Sequence, residues 1–192
     1  INQNGKRIER VVSDVPPYES KNWRAEFASG KFSSSDLDGT PDLMGLVEWL
    51  NNPKLKNTNI VVAVTAGTSR VPVSPGGDVA KALEAMGKEP TNTGLAIARG
   101  ETAIEMVKDQ IKSLIPEEIF NNIEFTVDLS KLEQGPDWDG DDATALKYET
   151  HQFLSTIAYS TGQEETLTEL PDICNGTLKG SGGKAEKKNK GP

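Results

Sequence analysis

Asp137-Trp138-Asp139-Gly140-Asp141-Asp142 sets four carboxylates within six residues, enough negative charge to recruit a hard cation that takes roughly six to eight oxygens. Asp137, Asp139 and Asp141 are the candidate ligands. The spacing departs from an EF-hand loop, because Gly falls at the fourth place rather than the sixth and no Glu stands at the twelfth. A solvated acidic turn is the favoured reading, with no metal called for. The chain has one histidine, His151, and one cysteine, Cys174. That is too few for a Ser-His-Asp or Cys-His system to be more than coincidence, which points away from a hydrolase. A single cysteine also excludes an internal disulfide, a multi-cysteine zinc site and an iron–sulfur cluster held by this chain alone. In an oxidising compartment it could pair with a second chain.

No G-x-G-x-x-G opens a helix, and no G-x-x-x-x-G-K-[ST] occurs, so nucleotide binding has no support and no cofactor is called for. Trp23, Trp49 and Trp138 are scattered without interleaved basic residues, unlike a stacking platform for nucleic acid. Asp36-Leu37-Asp38-Gly39-Thr40 is similar to the D-x-D-G-T string of haloacid dehalogenase-type phosphatases. There it supplies an aspartyl nucleophile and an acid/base Asp at the end of a buried strand. Here the preceding Lys31-Phe32-Ser33-Ser34-Ser35 is polar, so a loop turning on Gly39 ahead of a helix is expected instead. Asn175-Gly176-Thr177 matches a glycosylation sequon, a string too short to carry weight by itself.

The elements that must position such residues come from a chain of 192 residues, 35% apolar and 26% charged, with a mean hydropathy of −0.51. One domain with tails is expected. The longest aliphatic run, Ile60 to Val64, falls far short of the roughly 20 apolar residues of a membrane-spanning helix. The formal charge of −8 argues against a bulk electrostatic grip on nucleic acid or anionic lipid. From Gly176 onward five lysines stand against one glutamate, so a basic tail follows an acidic body.

Residues 1–22 read as a polar arm or edge strand closed by Pro16-Pro17. Trp23, Ala25 and Phe27 alternate with polar partners, as in a half-buried strand running to Phe32. Pro41 suits the first turn of a helix carrying Leu43, Leu46, Val47 and Leu50 and ending by Asn51-Asn52-Pro53. Ile60 to Thr65 is β-branched and continuously apolar, the pattern of a central strand covered on both faces. Residues 71–91 form a surface insertion around a short helical piece, Asp78 to Met86. Asn92 can cap a long helix bearing Leu95, Ala98, Ile104, Val107, Ile111 and Leu114, which Pro116 ends. Strands follow at Ile123 to Leu129 and Gln152 to Tyr159. The order βαβαββ predicts a two-layer α/β sandwich over residues 23–160, its helices on one face of a small mixed sheet. Residues 161–192 read as a flexible, basic tail.

Val61-Val62-Ala63-Val64-Thr65-Ala66-Gly67-Thr68-Ser69-Arg70, taken with Asn92-Thr93-Gly94-Leu95-Ala96-Ile97-Ala98-Arg99, resembles the OmpA C-terminal-like family of cell-wall-binding domains. In that family a central strand ends in G-x-T-D and a helix then opens with N-x-x-L-S-x-x-R-A. Gly67 and Thr68 match the first motif; Asn92, Leu95 and Arg99 match the second. Phe32, the helix Leu43 to Leu50 and Pro53-Lys54-Leu55 fall where the family has its first strand, first helix and NP-x-L turn. The resemblance extends over Trp23 to Tyr159.

The resemblance implies a non-catalytic module of the bacterial cell envelope, periplasmic or outer-membrane associated, that anchors to peptidoglycan. An Arg near the helix start takes a carboxylate in bidentate fashion, the strand-end Asp takes an ammonium, and the helix N-terminus adds backbone donors. Together they hold the zwitterionic end of diaminopimelate in the stem peptide. Carried onto this chain, the ligand residues are Arg99, Asn92, Thr68, Ser69, Leu95 and Arg70. Ser69 occupies the family's Asp position, removing a charge-assisted contact worth about 1.5–3 kcal/mol. Ala96 and Gly100 replace the family's Ser and Ala, and no N-R-R-V occurs around Tyr148 to Phe153. Asp78, in the insertion, could restore the missing carboxylate. The alternative is a structural or assembly protein that keeps the fold and joins copies of itself or other envelope proteins without a peptidoglycan ligand.

Overall fold

The computed structural model describes residues 7–9, 15–20, 23, 26–39, 41–140, 142–163 and 166–168. Ala25, Thr40, Asp141, Cys174, the sequon and nearly all of the expected tail lie outside them. Two units are distinguished, and each stands by itself here. The smaller contains β1 (Arg7–Glu9) and β10 (Thr166–Thr168), paired antiparallel. The larger runs from Arg10 to Glu164.

In the larger unit the elements are β2 (Tyr18–Ser20), β3 (Glu26–Phe27), β4 (Leu37–Asp38), α1 (Met44–Leu50), β5 (Thr58–Ala66), β6 (Ser69–Arg70), α2 (Asp78–Ala85), α3 (Asn92–Ile111), α4 (Glu117–Phe120), β7 (Ile123–Asp128), β8 (Gln134–Asp137), α5 (Leu146–Glu149) and β9 (Leu154–Gln163). The principal sheet has the order β2-β9-β5-β7, with β5 and β7 parallel and the other pairs antiparallel. It is a small α/β sandwich with a mixed sheet.

The register assigns its faces. Ile60, Val62, Val64 and Ala66 of β5 stand beside Ala158, Thr156 and Leu154 of β9 and beside Ile123, Phe125 and Val127 of β7. Because strand side chains alternate, these share one face. They join Leu46, Val47 and Leu50 of α1 and Ala103, Ile104, Val107 and Ile111 of α3 in a single core. The opposite face carries Val61, Ala63 and Thr65. Val61 and Thr65 are buried on that face as well, flanked by cross-strand neighbours such as Ile157 and Thr126, while α1 and α3 pack on the first face.

Three expectations need correction. The strand expected from Trp23 to Phe32 does not enter the principal sheet: Glu26–Phe27 pairs with Leu37–Asp38 in a two-stranded ribbon, and Tyr18–Ser20 takes the sheet edge. Trp23 and Phe27 are still buried, but as core side chains, with the Trp23 indole N–H donating to Thr156 Oγ1. Pro41 precedes α1 rather than opening it, and Asp42 Oδ1 accepts from Met44 N at 3.3 Å. The cap of α3 is Thr91, whose Oγ1 accepts from Gly94 N at 3.2 Å, because Asn92 already lies within the helix and turns its amide elsewhere.

Candidate functional site

The end of β5 and the start of α3 meet at one cavity of about 390 Å³, and each wall has a local cause. Beyond Ala66 the chain crosses behind His151 and Phe153, and Gly67 is required there: an added Cβ would stand 2.5 Å from the His151 carbonyl oxygen. Gly67 N donates to Phe153 O at 2.8 Å. Thr68 is buried and stitches the next loop in place, its Oγ1 accepting from Glu133 N at 3.0 Å and its carbonyl from Gln134 N at 2.9 Å. Those bonds align β6 with β8 in a short parallel pair. Strand alternation then turns Ser69 into the cavity and Arg70 away from it.

The first two turns of α3 supply the facing wall. Asn92, Leu95 and Arg99 recur at i, i+3 and i+7, one face of a helix, and all three line the cavity. Asn92 Nδ2 donates to Ser69 O and to Glu133 Oε1, each at 3.3 Å, which ties helix to strand end. Gly94 allows the helix to start against Glu89, since a Cβ would meet the Glu89 carbonyl oxygen at 1.9 Å.

Arg99 is 1% exposed. Its Nε donates to Lys31 O at 2.8 Å, Nη1 to Gly67 O at 3.3 Å, and Nη2 to Ala28 O at 3.0 Å and Gln152 Oε1 at 2.7 Å. Its Cζ lies 5.7 Å from the Phe27 ring centroid. Every one of these oxygens is neutral, so among the described residues no carboxylate balances the guanidinium. A guanidinium has five N–H donors, and the second N–H of Nη1 is not taken up by these bonds. Burial pulls its pKa down to about 10. The surface acids beside it on the helix are engaged elsewhere, Glu101 with Lys88 at 2.6 Å and Glu105 with Lys108 at 2.8 Å.

The insertion closes the remaining side. α2 is held by Ala80 and Leu83, both fully buried, with Leu83 packed on Leu95 and Ala98. Val71, Val73 and Val79 give the cavity an apolar wall, and Asp78, at the start of α2, brings a carboxylate to it. That carboxylate makes no hydrogen bond or ion pair among the described residues.

Five of the six candidate ligand residues therefore line one cavity: Thr68, Ser69, Asn92, Leu95 and Arg99. Arg70 does not. Its Nη1 pairs with Asp137 Oδ1 at 2.6 Å and its Nε donates to Glu133 O at 3.0 Å. Gln152, Ser29 and Trp138 line the cavity without having been singled out as ligand residues. Nothing in their local sequence marks them, because each reaches the site through a different loop.

Among the described residues the acidic turn does not gather into a cation site. Asp137 is taken by Arg70, Asp139 by Lys147 and Tyr148, and Asp142 by the backbone and hydroxyl of Thr144. Among the described residues no three acidic, histidine or cysteine side chains are placed to hold a metal ion. The D-x-D-G-T string is divided between two roles. Asp36 caps a single 3-10 turn through Ser33 N and Oγ, bonds that hold its carboxyl below the usual range. Asp38 sits on the two-residue β4, away from the cavity. No helix of the described residues is long and apolar enough to cross a membrane.

The chain matches no protein-family model and no curated protein in sequence. What the cavity does must therefore be argued from its own chemistry.

Proposed function

We propose that this chain is a non-catalytic module of the bacterial cell envelope that anchors to peptidoglycan, holding the zwitterionic, diaminopimelate-type end of a stem peptide in the cavity between β5 and α3. One observation carries the reading: among the described residues, the cavity has a buried guanidinium, Arg99, without a balancing carboxylate, and a carboxylate, Asp78, without an ion pair. A ligand carboxylate takes the remaining Nη1 N–H of Arg99 in surroundings of low dielectric, where a charged hydrogen bond is strongest. The ligand ammonium goes to Asp78, which replaces the strand-end carboxylate that Ser69 lacks. Ser69 Oγ, which makes no hydrogen bond among the described residues, adds an acceptor. The apolar wall of Val71, Val73 and Leu95 receives the aliphatic stem between the charges.

Retention on insoluble peptidoglycan tests this directly. Wild type is retained. Asp78→Asn weakens retention by about fivefold, the counterpart of ~1 kcal/mol for a partly exposed ion pair. Ser69→Asp strengthens it, and Arg99→Lys, which keeps the charge but loses the planar fork, weakens it at least tenfold. Absence of wild-type retention defeats the reading.

A second reading is favoured by the four bonds of Arg99 to neutral oxygens, which fasten the loop around Ala28 and Lys31 to the strand end and to Gln152. On that reading Arg99 is a structural clamp, and the fold serves assembly with copies of itself or with other envelope proteins. It requires that Arg99→Lys lowers the melting temperature while wild type ignores peptidoglycan and sediments in a concentration-dependent way.

A further inference from the structure

Trp138 lines the same cavity, and the charge pairing proposed for that cavity gives it no role. The residue is 42% exposed, whereas Trp23 is buried. Leaving an indole in water forgoes a large apolar burial, so its backbone placement matters. Both neighbours of Trp138 are anchored. Asp137 before it is paired with Arg70, and Asp139 after it is bonded through its backbone N–H and its carboxylate to the hydroxyl of the fully buried Tyr148. The indole is thus presented from a segment braced on both sides. Rigid, amphipathic side chains of this kind give contact area at low entropic cost.

Ser29, Ser74, Asn92 and Gln152 line the same cavity, with Asn92 Nδ2 and Gln152 Oε1 already bonded within the fold. An aromatic plane beside hydroxyls and amides complements a pyranose ring. The C–H groups on one sugar face carry partial positive charge and settle on the negative face of the indole. The sugar's hydroxyl and acetamido groups exchange hydrogen bonds with serines and amides, which both donate and accept. The acidic turn that carries Trp138 disfavours an anionic ligand there, and a neutral N-acetylated hexose brings no charge.

We propose that Trp138 forms a sugar subsite, on which an N-acetylated hexose of the glycan strand stacks while the charged end of the stem peptide lies between Arg99 and Asp78. The inference rests on the stem-peptide reading of the cavity. It assigns Trp138 a role that the ionic contacts do not supply.

The experiment uses the full chain and two probes that separate the parts. Fully N-acetylated chitotriose carries N-acetylated sugar and no charge; free meso-diaminopimelate carries the charges and no sugar. Chitotriose is expected to shift indole emission to the blue and to reduce acrylamide quenching in wild type. Trp138→Ala, a change at an exposed side chain, abolishes both effects. It also lowers retention on sacculi at least threefold; Trp138→Phe keeps part of the response. Emission and quenching unmoved by chitotriose overturn the subsite. Diaminopimelate binding alongside silent chitotriose removes the subsite and keeps the proposed function. A chitotriose response without diaminopimelate binding or sacculus retention keeps Trp138 as a sugar platform and overturns the stem-peptide reading. Silence to both removes both.

Discussion

At the scale of single residues, Arg99 sets the chemistry because its charge is buried among neutral oxygens. Burial pulls its folded pKa down to about 10, below the ordinary guanidinium range, so the charged form costs stability. That cost is complete below about pH 10 and is relieved as the pH rises beyond it. A carboxylate ligand that reaches Nη1 offsets the cost. Thermal stabilisation by an amine-free carboxylate such as N-acetylalanine is therefore expected to stay constant from pH 6 to 9 and to decline above about pH 10. Arg99→Ala leaves the carbonyls of Ala28, Lys31 and Gly67 and the amide of Gln152 without their donor, at a cost of about 3 kcal/mol or more, read in chemical denaturation. Much of this site is legible in the linear chain. The i, i+3, i+7 spacing of Asn92, Leu95 and Arg99 places them on one face whatever surrounds the helix. Arg70 lies outside the cavity because one step along a strand reverses the direction of a side chain, and the strand's facing is settled by its pairing with β8.

At the scale of elements, α3 lies close against the sheet at Gly100, where an added Cβ would stand 2.5 Å from Val127 Cγ1. Gly100→Ala is expected to lower the melting temperature by several degrees despite alanine's better helix propensity. Val127→Ala in the same chain should recover most of the loss, a coupling that a double-mutant cycle measures. The insertion behaves as part of the wall rather than as a surface loop. Leu83→Ala removes a fully buried side chain that seats α2 on α3. It should cost roughly 2–5 kcal/mol and loosen ligand binding with it, since Asp78 and Val79 depend on that seat. Helix and strand identity followed from periodicity at α1, α3, β5 and β7. The strand expected at Trp23 to Phe32 did not, because alternation marks which side chains are buried and is silent on which neighbour buries them. Trp23 finds Thr156, and Phe27 lies beneath Arg99.

At the scale of the whole molecule, a formal charge of −8 surrounds a cavity lined by one buried guanidinium, Arg99, and the carboxylate of Asp78. Because Arg99 is buried, salt screens it little. Retention on sacculi is therefore expected to weaken by no more than about threefold between 50 and 500 mM salt; a loss of a hundredfold would point to surface charge as the source of binding. Composition and periodicity by themselves determined the α/β class, the central β5, the long α3 and the grouping of Asn92, Leu95 and Arg99, since these depend on local spacing and on which residues avoid water. The tertiary structure alone decided that Tyr18–Ser20 forms the sheet edge, that Asp78 and Trp138 reach the cavity of Arg99, and that the carboxylates of Asp137, Asp139 and Asp142 are each engaged nearby. Those outcomes depend on contacts between residues tens of positions apart or on the course of a loop, and neither is encoded in the spacing of any one segment.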